Sequence, residues 1–305
     1  MESLYQHELW HAWSSTPSPQ IERIPVRRRD LATRMSGTDS FDDGRTAAWL
    51  RRPGLQMIGV RDRRTGHEVH CVSDRGVTAV LRELREGLRI MAWMSKRPYI
   101  WFWWDHDWER LLPAQETPGR EHVNGGWAVP HVLEVHVYRR EEALKVMIHE
   151  SVHALGLDVD PVAVEPVRAQ FEAALGRRLW PHLGEAYTEL FAEWLWSVAA
   201  ARSAADAERR WTYQMECSDV QAVAIWARIR GSREDEDTNV FAYYVLKWVL
   251  MGHLREALLQ PSHAVSLWYG WFMMASGDLD RRAIAAAATA DRAMRMGMTC
   301  DSRST

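Results

Sequence analysis

The feature that most constrains this 305-residue chain is the segment Leu144–Gly156, which carries His149-Glu150-Ser151-Val152-His153 inside an otherwise apolar run. This is the H-E-x-x-H arrangement. On a helix the two imidazoles lie one turn apart on one face, where both can ligate one metal ion. Glu150 is then placed to act as a general base toward a water at that ion. Leu144, Ile148, Val152 and Leu155 recur at helical spacing and form an apolar face, and Gly156 is a natural stop. Glu141 and Glu142 stand in the expected first turn, where negative charge favours a helix N-terminus. Upstream, residues 129–138 alternate with β-branched residues and read as a strand. The competing reading is an ordinary amphipathic helix that happens to carry two histidines. Polar ligands set in an apolar segment argue against it.

A catalytic zinc takes three protein ligands and keeps one position open. The extended pattern H-E-x-x-H-x-x-G-x-x-H keeps its glycine at Gly156 but has Val159 where the third ligand is required, with Asp158 and Asp160 out of register. A better source lies in residues 184–197, where Glu185, Glu189 and Glu193 fall at i, i+4 and i+8. Stacked carboxylates repel one another unless cations or donors compensate them. A solvated acidic face is the plain alternative. The Trp, Phe and Leu residues around the stripe argue for burial instead.

Over roughly residues 130–200 the chain resembles the gluzincins, zinc peptidases whose third ligand is a glutamate on a later helix. Their pattern places an acid that orients a ligand histidine four residues after that glutamate. Glu189-Leu-Phe-Ala-Glu193 resembles the version in anthrax lethal factor, and Glu185-Ala-Tyr-Thr-Glu189 the version in thermolysin, one turn earlier. Both registers are chemically sound. Glu189 is preferred as ligand with Glu193 behind it, and the alternative has Glu185 as ligand with Glu189 behind it. The resemblance implies one Zn2+ ion, Glu150 as catalytic base and a peptide or protein substrate. It also implies an α+β, zincin-like fold, with a mixed α/β lobe and small sheet, an active-site helix, and a mainly helical C-terminal lobe. An inactive binding or scaffold protein that keeps this shape is the alternative function. The intact Glu150 argues against it.

The rest of the chain fills in that outline. Residues 1–40 read as a peripheral arm with the basic run Arg27-Arg28-Arg29, and 41–300 as the main domain, divided into 41–156 and 157–300. Residues 55–73 read as a hairpin turning at Arg64-Thr65-Gly66, 77–94 as a helix, and 98–104 as a buried strand. Helices are expected near 163–175, 184–203, 217–230, 239–259, 262–275 and 279–296. His67, His70 and Cys71 suggest a second metal cluster only until strand alternation is applied, which sends His70 and Cys71 to opposite faces. Asp105-His106-Asp107 reads as a strand-end turn. A donor for a developing oxyanion is sought in Tyr243 or Tyr244, on one side of an apolar helix with Lys247, ahead of His182 and His253.

Composition sets the outer limits. Hydrophobic residues at 47% allow a sizeable core, to which 17 Trp residues contribute. A net charge of −3 gives no bulk electrostatic case for nucleic acid or an anionic membrane. Cys71, Cys217 and Cys300 are too few and too widely spaced for a disulfide framework. The first residues show neither a basic nor an apolar leader pattern, and the expectation is an intracellular, cytoplasmic protein. Oligomeric state is left open.

Overall fold

The computed structural model describes residues 2–35, 44–111, 118–129, 131–230 and 232–287. Its frame is a mixed six-stranded sheet in the order β1-β2-β3-β4-β6-β5, with β1 Ile21–Ile24, β2 Gln56–Asp62, β3 Glu68–Ser73, β4 Ile100–Asp105, β5 Gly126–Ala128 and β6 Glu134–Val137. The hairpin of β2 and β3 forms where the apolar alternation and the Gly66 turn place it, with Gly66 at φ 79. β3, β4 and β6 run parallel in register, Val69 beside Trp101 and Phe102 beside His136. Parallel pairing requires a crossover, and the helix Val77–Met94 supplies the one from β3 to β4.

Alternation along β4 sorts its aromatics between two cores. Trp101 and Trp103 face Leu84, Leu88, Met147 and Ile148, whereas Phe102 and Trp104 face Leu31, Trp49 and Tyr138. The helix Ala143–Leu155, which carries the motif, therefore lies on the same sheet face as Val77–Met94. A third core joins the C-terminal helices, where Phe171, Phe241 and Phe272 meet edge to face at 5.2–5.6 Å. The helix Glu185–Ala199 belongs to two cores: Ala186, Tyr187 and Leu190 enter the C-terminal one, while Ala192, Leu195 and Val198 enter the one under the sheet. It is thus the wall common to both halves.

The structure departs from the sequence expectations in five places. The first 40 residues are not wholly peripheral: β1 pairs with β2, and Trp13 is 1% exposed. The Arg89 guanidinium lies 4.0 Å from the Trp13 ring centroid and donates to the Trp13 carbonyl, which ties the N-terminal helix Glu2–Ser14 to Val77–Met94. Of the strand expected over 129–138 only Glu134–Val137 forms; a turn closed from Val132 N–H to Val129 O, with His131 at φ 64, precedes it and lets β6 pair antiparallel with β5. The helix expected near 217–230 begins earlier, at Ala204, where the Ser203 hydroxyl accepts from Asp206 N–H. The single helix expected over 239–259 is a π-helical turn, Phe241–Leu246, followed by Lys247–Met251 and Leu254–Leu259. The helices expected near 262–275 and 279–296 are instead a short helix, Pro261–Val265, and one running Trp268–Ala287, and residues 288–296 of that expectation lie outside the described residues. Cys71 is a buried free thiol on β3. Among the described residues no helix is long and apolar enough to cross a membrane.

Gly87 shows how closely the crossover helix packs on the sheet. A Cβ placed there would lie 2.4 Å from the Trp101 ring. Alanine normally favours a helix over glycine by about 1 kcal/mol. Here Gly87→Ala should instead destabilise the protein by about 1–3 kcal/mol, because overpacking outweighs propensity. Urea unfolding measures this, and a more stable variant would show that the helix is free to shift.

Candidate metal centre

The motif helix starts under constraint. Its N-cap, Glu142, has φ 57, a left-handed conformation that costs a non-glycine residue free energy. Glu141 and Glu142 therefore do not simply line a first turn. Both are held by buried Arg110, whose backbone N–H donates to Glu141 at 2.7 Å and whose guanidinium pairs with Glu142. At the other end Gly156, at φ +67, reverses the chain, with Leu157 N–H donating to Val152 O. That reversal brings Asp158 back beside His153, with Oδ1 2.8 Å from Nδ1.

The two imidazoles are oriented alike. His149 Nδ1 is 2.8 Å from Glu189 Oε2, and His153 Nδ1 is held by Asp158. An Nδ1–H donating to a carboxylate leaves Nε2 as a lone-pair donor. The Nε2 atoms are 3.3 Å apart, and Glu185 Oε2 lies 3.0 Å from the first and 3.3 Å from the second. Three ligands placed tetrahedrally around zinc at its usual bond length are about 3.3 Å from one another. The trio of His149, His153 and Glu185 therefore fits the shape and chemistry of a metal site.

The carboxylate stripe divides its work by height on the helix. Glu185, the alternative third ligand in the sequence reading, faces the two Nε2 atoms, whereas the preferred Glu189 faces His149 Nδ1. Glu189 is fully buried behind His149, bridging its Nδ1 and the Lys145 ammonium. Glu193, expected behind the ligand, lies a turn further on and pairs with buried Lys247 at 2.7 Å. Each acid thus has its own cationic or hydrogen-bonding partner. Burial lowers the Lys145 pKa to about 7, against the pull of Glu142 and Glu193.

Electrostatics within the trio are those of a place suited to a cation. Burial lowers the His149 pKa to about 4. Burial opposes the charge on His153, but Glu185 and Asp158 together raise its pKa. Burial alone would raise Glu185; His153 and His149 hold it below the usual carboxylate range. Glu150 is pushed up to about 8 by burial, with His153 countering. A cation beside it would bring that value down.

These groups open into a cleft of about 570 Å³ lined by Gly126 and Trp127 of β5, by Val159 and Trp180, and by Asn239 and Tyr243. Gly126 lets β5 approach the motif helix, since a Cβ there would lie 2.8 Å from Val146 and 3.0 Å from Glu150. Opposite, Glu236 accepts backbone N–H groups from Phe241 at 2.9 Å and Trp180 at 3.2 Å, fixing one rim to the other. Of the two tyrosines, Tyr243 reaches the site. Its hydroxyl lies 3.4 Å from Glu185 Oε2 and its ring centroid 5.8 Å from that of His149. Tyr244 is buried in the helical core and does not line the cleft. His182 lines it, whereas His253 stacks on Trp271 elsewhere. His67 bonds Ser95 O and Tyr99 N–H, so the second cluster does not assemble. Asp105 is taken up by Arg75 and Arg140.

Sequence reasoning passed over Lys145 and weighed Asp158 only as an out-of-register ligand. Lys145 had a readable signal: a lysine one turn before His149 on an apolar helix must find a buried anion. Asp158 had none, because its return depends on the Gly156 reversal. The chain matches no protein-family model, no curated protein and no solved structure.

The three glutamates should separate in zinc titration. Glu185→Ala should lose most of the affinity, and Glu189→Ala about 10–100-fold. Glu193→Ala should leave affinity nearly unchanged but cost about 3–5 kcal/mol in stability, by stranding Lys247 in the interior. Glu189→Ala proving more damaging to zinc binding than Glu185→Ala would reverse the assignment.

Proposed function

We propose that the protein is a zinc-dependent peptidase of gluzincin type, with His149, His153 and Glu185 as the zinc ligands. The observation that carries this reading is the convergence of the two Nε2 atoms and Glu185 Oε2 at ligand spacing, with Glu150 lining the same cleft. A zinc ion held there would supply Lewis acidity and lower the pKa of a water at its open position to near 7. Glu150, on the motif helix between the two histidines, takes the proton of the attacking water and returns it to the leaving amine. Tyr243 remains protonated, because burial raises its pKa, and its hydroxyl donates to the developing oxyanion. Glu189 and Asp158 keep both imidazoles in the tautomer that offers Nε2.

A peptide substrate suits the cleft wall. β5 closes the sheet order at that end and lines the cleft, and an extended chain can add to a sheet edge through backbone hydrogen bonds. Retention of Glu150 beside the ligands favours an enzyme over an inactive scaffold of the same shape.

The test uses the protein loaded with one equivalent of zinc, with unfolded β-casein as substrate and fragments read by mass spectrometry. Wild-type protein should give cleavage that a chelator abolishes and zinc restores. Glu150→Gln should keep zinc and thermal stability while the rate falls about 10²–10⁴-fold. Undiminished turnover in that variant would remove Glu150 from the mechanism, and absence of any zinc-dependent cleavage would count against the peptidase reading.

A further inference from the structure

Arg120 lines the cleft at the start of the short helix Arg120–Val123. Among the described residues lining that cleft it is the one arginine, and no lysine joins it. Two contacts orient its guanidinium. The central carbon lies 4.9 Å from the Trp180 ring centroid, and Nε donates to Asp237 O at 3.0 Å. Trp180 N–H in turn donates to Glu236 Oε2 at 3.2 Å, so the ring, the acidic loop and the guanidinium are held as one unit. An aromatic face and a carbonyl oxygen position a guanidinium without neutralising it. The loop carboxylates on either side pair with other arginines, Asp235 with Arg178 and Glu236 with Arg177.

This cation stands close to the metal centre. Asn124 N–H donates to Arg120 O at 2.8 Å, and Asn124 also borders the recess beside His149 and Glu150. The Arg120 backbone is thus one helical turn, about 5.4 Å, from a residue next to the general base. An extended chain rises about 3.3 Å per residue, so an anion at Arg120 belongs to a residue near the bond under attack. Trp180, Pro181, Val159 and Val164 give the cleft apolar walls, where a charge pair counts for more than in open water.

Building on the peptidase reading, we propose that Arg120 is a specificity-determining residue that binds a substrate carboxylate, so that the cleft selects peptides with an acidic side chain or a free C-terminus near the cleaved bond. The N–H donors of a guanidinium match the two oxygens of a carboxylate. Trp180 and Asp237 fix the group in advance, which lowers the side-chain entropy lost when the anion docks.

The test is a cleavage profile of the zinc-loaded protein on a synthetic peptide library, prepared with free and with amidated C-termini and read by mass spectrometry. Wild-type protein should cleave peptides with a carboxylate near the bond about tenfold more efficiently than Asn, Gln or amidated counterparts, chiefly through KM. Amidation should remove the preference if the terminus is read and leave it if a side chain is read. Added salt should weaken it. Arg120→Gln should erase the preference, Arg120→Lys should keep part of it, and Arg120→Glu should turn it toward peptides carrying Lys or Arg. A residue that only clamps the rim would instead lower cleavage of acidic and neutral peptides alike. The wild-type profile and the lysine variant carry the test should the glutamine variant not fold. A wild type indifferent to carboxylates overturns the assignment, as does a preference that survives in Arg120→Gln. Those outcomes leave the peptidase reading standing, whereas absence of zinc-dependent cleavage of every peptide strikes that reading and the role of Arg120 with it.

Discussion

Three carboxylates at one-turn spacing on a buried helix cannot remain charged unless each is separately compensated, and the centre of this protein is arranged around that requirement. Glu185 faces two imidazoles, Glu189 faces Lys145 and His149, and Glu193 faces Lys247. Buried ion pairs contribute little net stability, because desolvation offsets their attraction. Their consequence is positional. A carboxylate that must meet a lysine on one neighbouring helix and an imidazole one turn along can do so in a single register of the two helices. Lys145 and His149 are one turn apart on the motif helix, so Glu189 fixes both its rotation and its height. The geometry of the trio His149, His153 and Glu185 follows from that registration.

The same registration explains why the helix Glu185–Ala199 is shared between two cores. Its acidic side must face the motif helix, while its apolar sides remain available to pack elsewhere. Tyr187 and Leu190 turn toward the helical lobe, and Leu195 and Val198 toward the core beneath the sheet. A site built at such a boundary gains an open cleft without a void in either core. Gly126 completes it on the sheet side, where only a residue without Cβ allows the edge strand to touch the motif helix beside Glu150.

Much of this was legible in the sequence, because the signals were local. The motif helix, the β2–β3 hairpin and the helix Val77–Met94 each rest on periodicity and on a stop or turn residue within the element. The acid stripe was legible as a face but not as a register. Helical spacing shows that Glu185, Glu189 and Glu193 lie in line, yet their height against His149 depends on where the loop before Glu185 ends. The choice between Tyr243 and Tyr244 was closed to sequence for a related reason. A π-helical turn rotates successive residues differently from an α-helix, and nothing in the run Phe241–Leu246 announces it. β1 escaped notice because Ile21-Glu22-Arg23-Ile24 is short and half charged, as suits an edge strand that needs only one hydrogen-bonded neighbour.

The cleft brings the charge argument to its end. Glu150, Glu185 and Asp158 all line it, and His153 is the imidazole whose protonated form they favour. Burial pushes the Glu150 pKa up to about 8; His153 counters it, and Glu185 and Asp158 add smaller upward contributions. A divalent cation held by His149, His153 and Glu185 would displace the proton from His153 and place two positive charges where one stood. Glu150 would then sit next to a stronger field and be able to release its own proton in the neutral range. Metal binding at this trio and loss of the Glu150 proton would then be one electrostatic event, coupled through the imidazole that Asp158 faces.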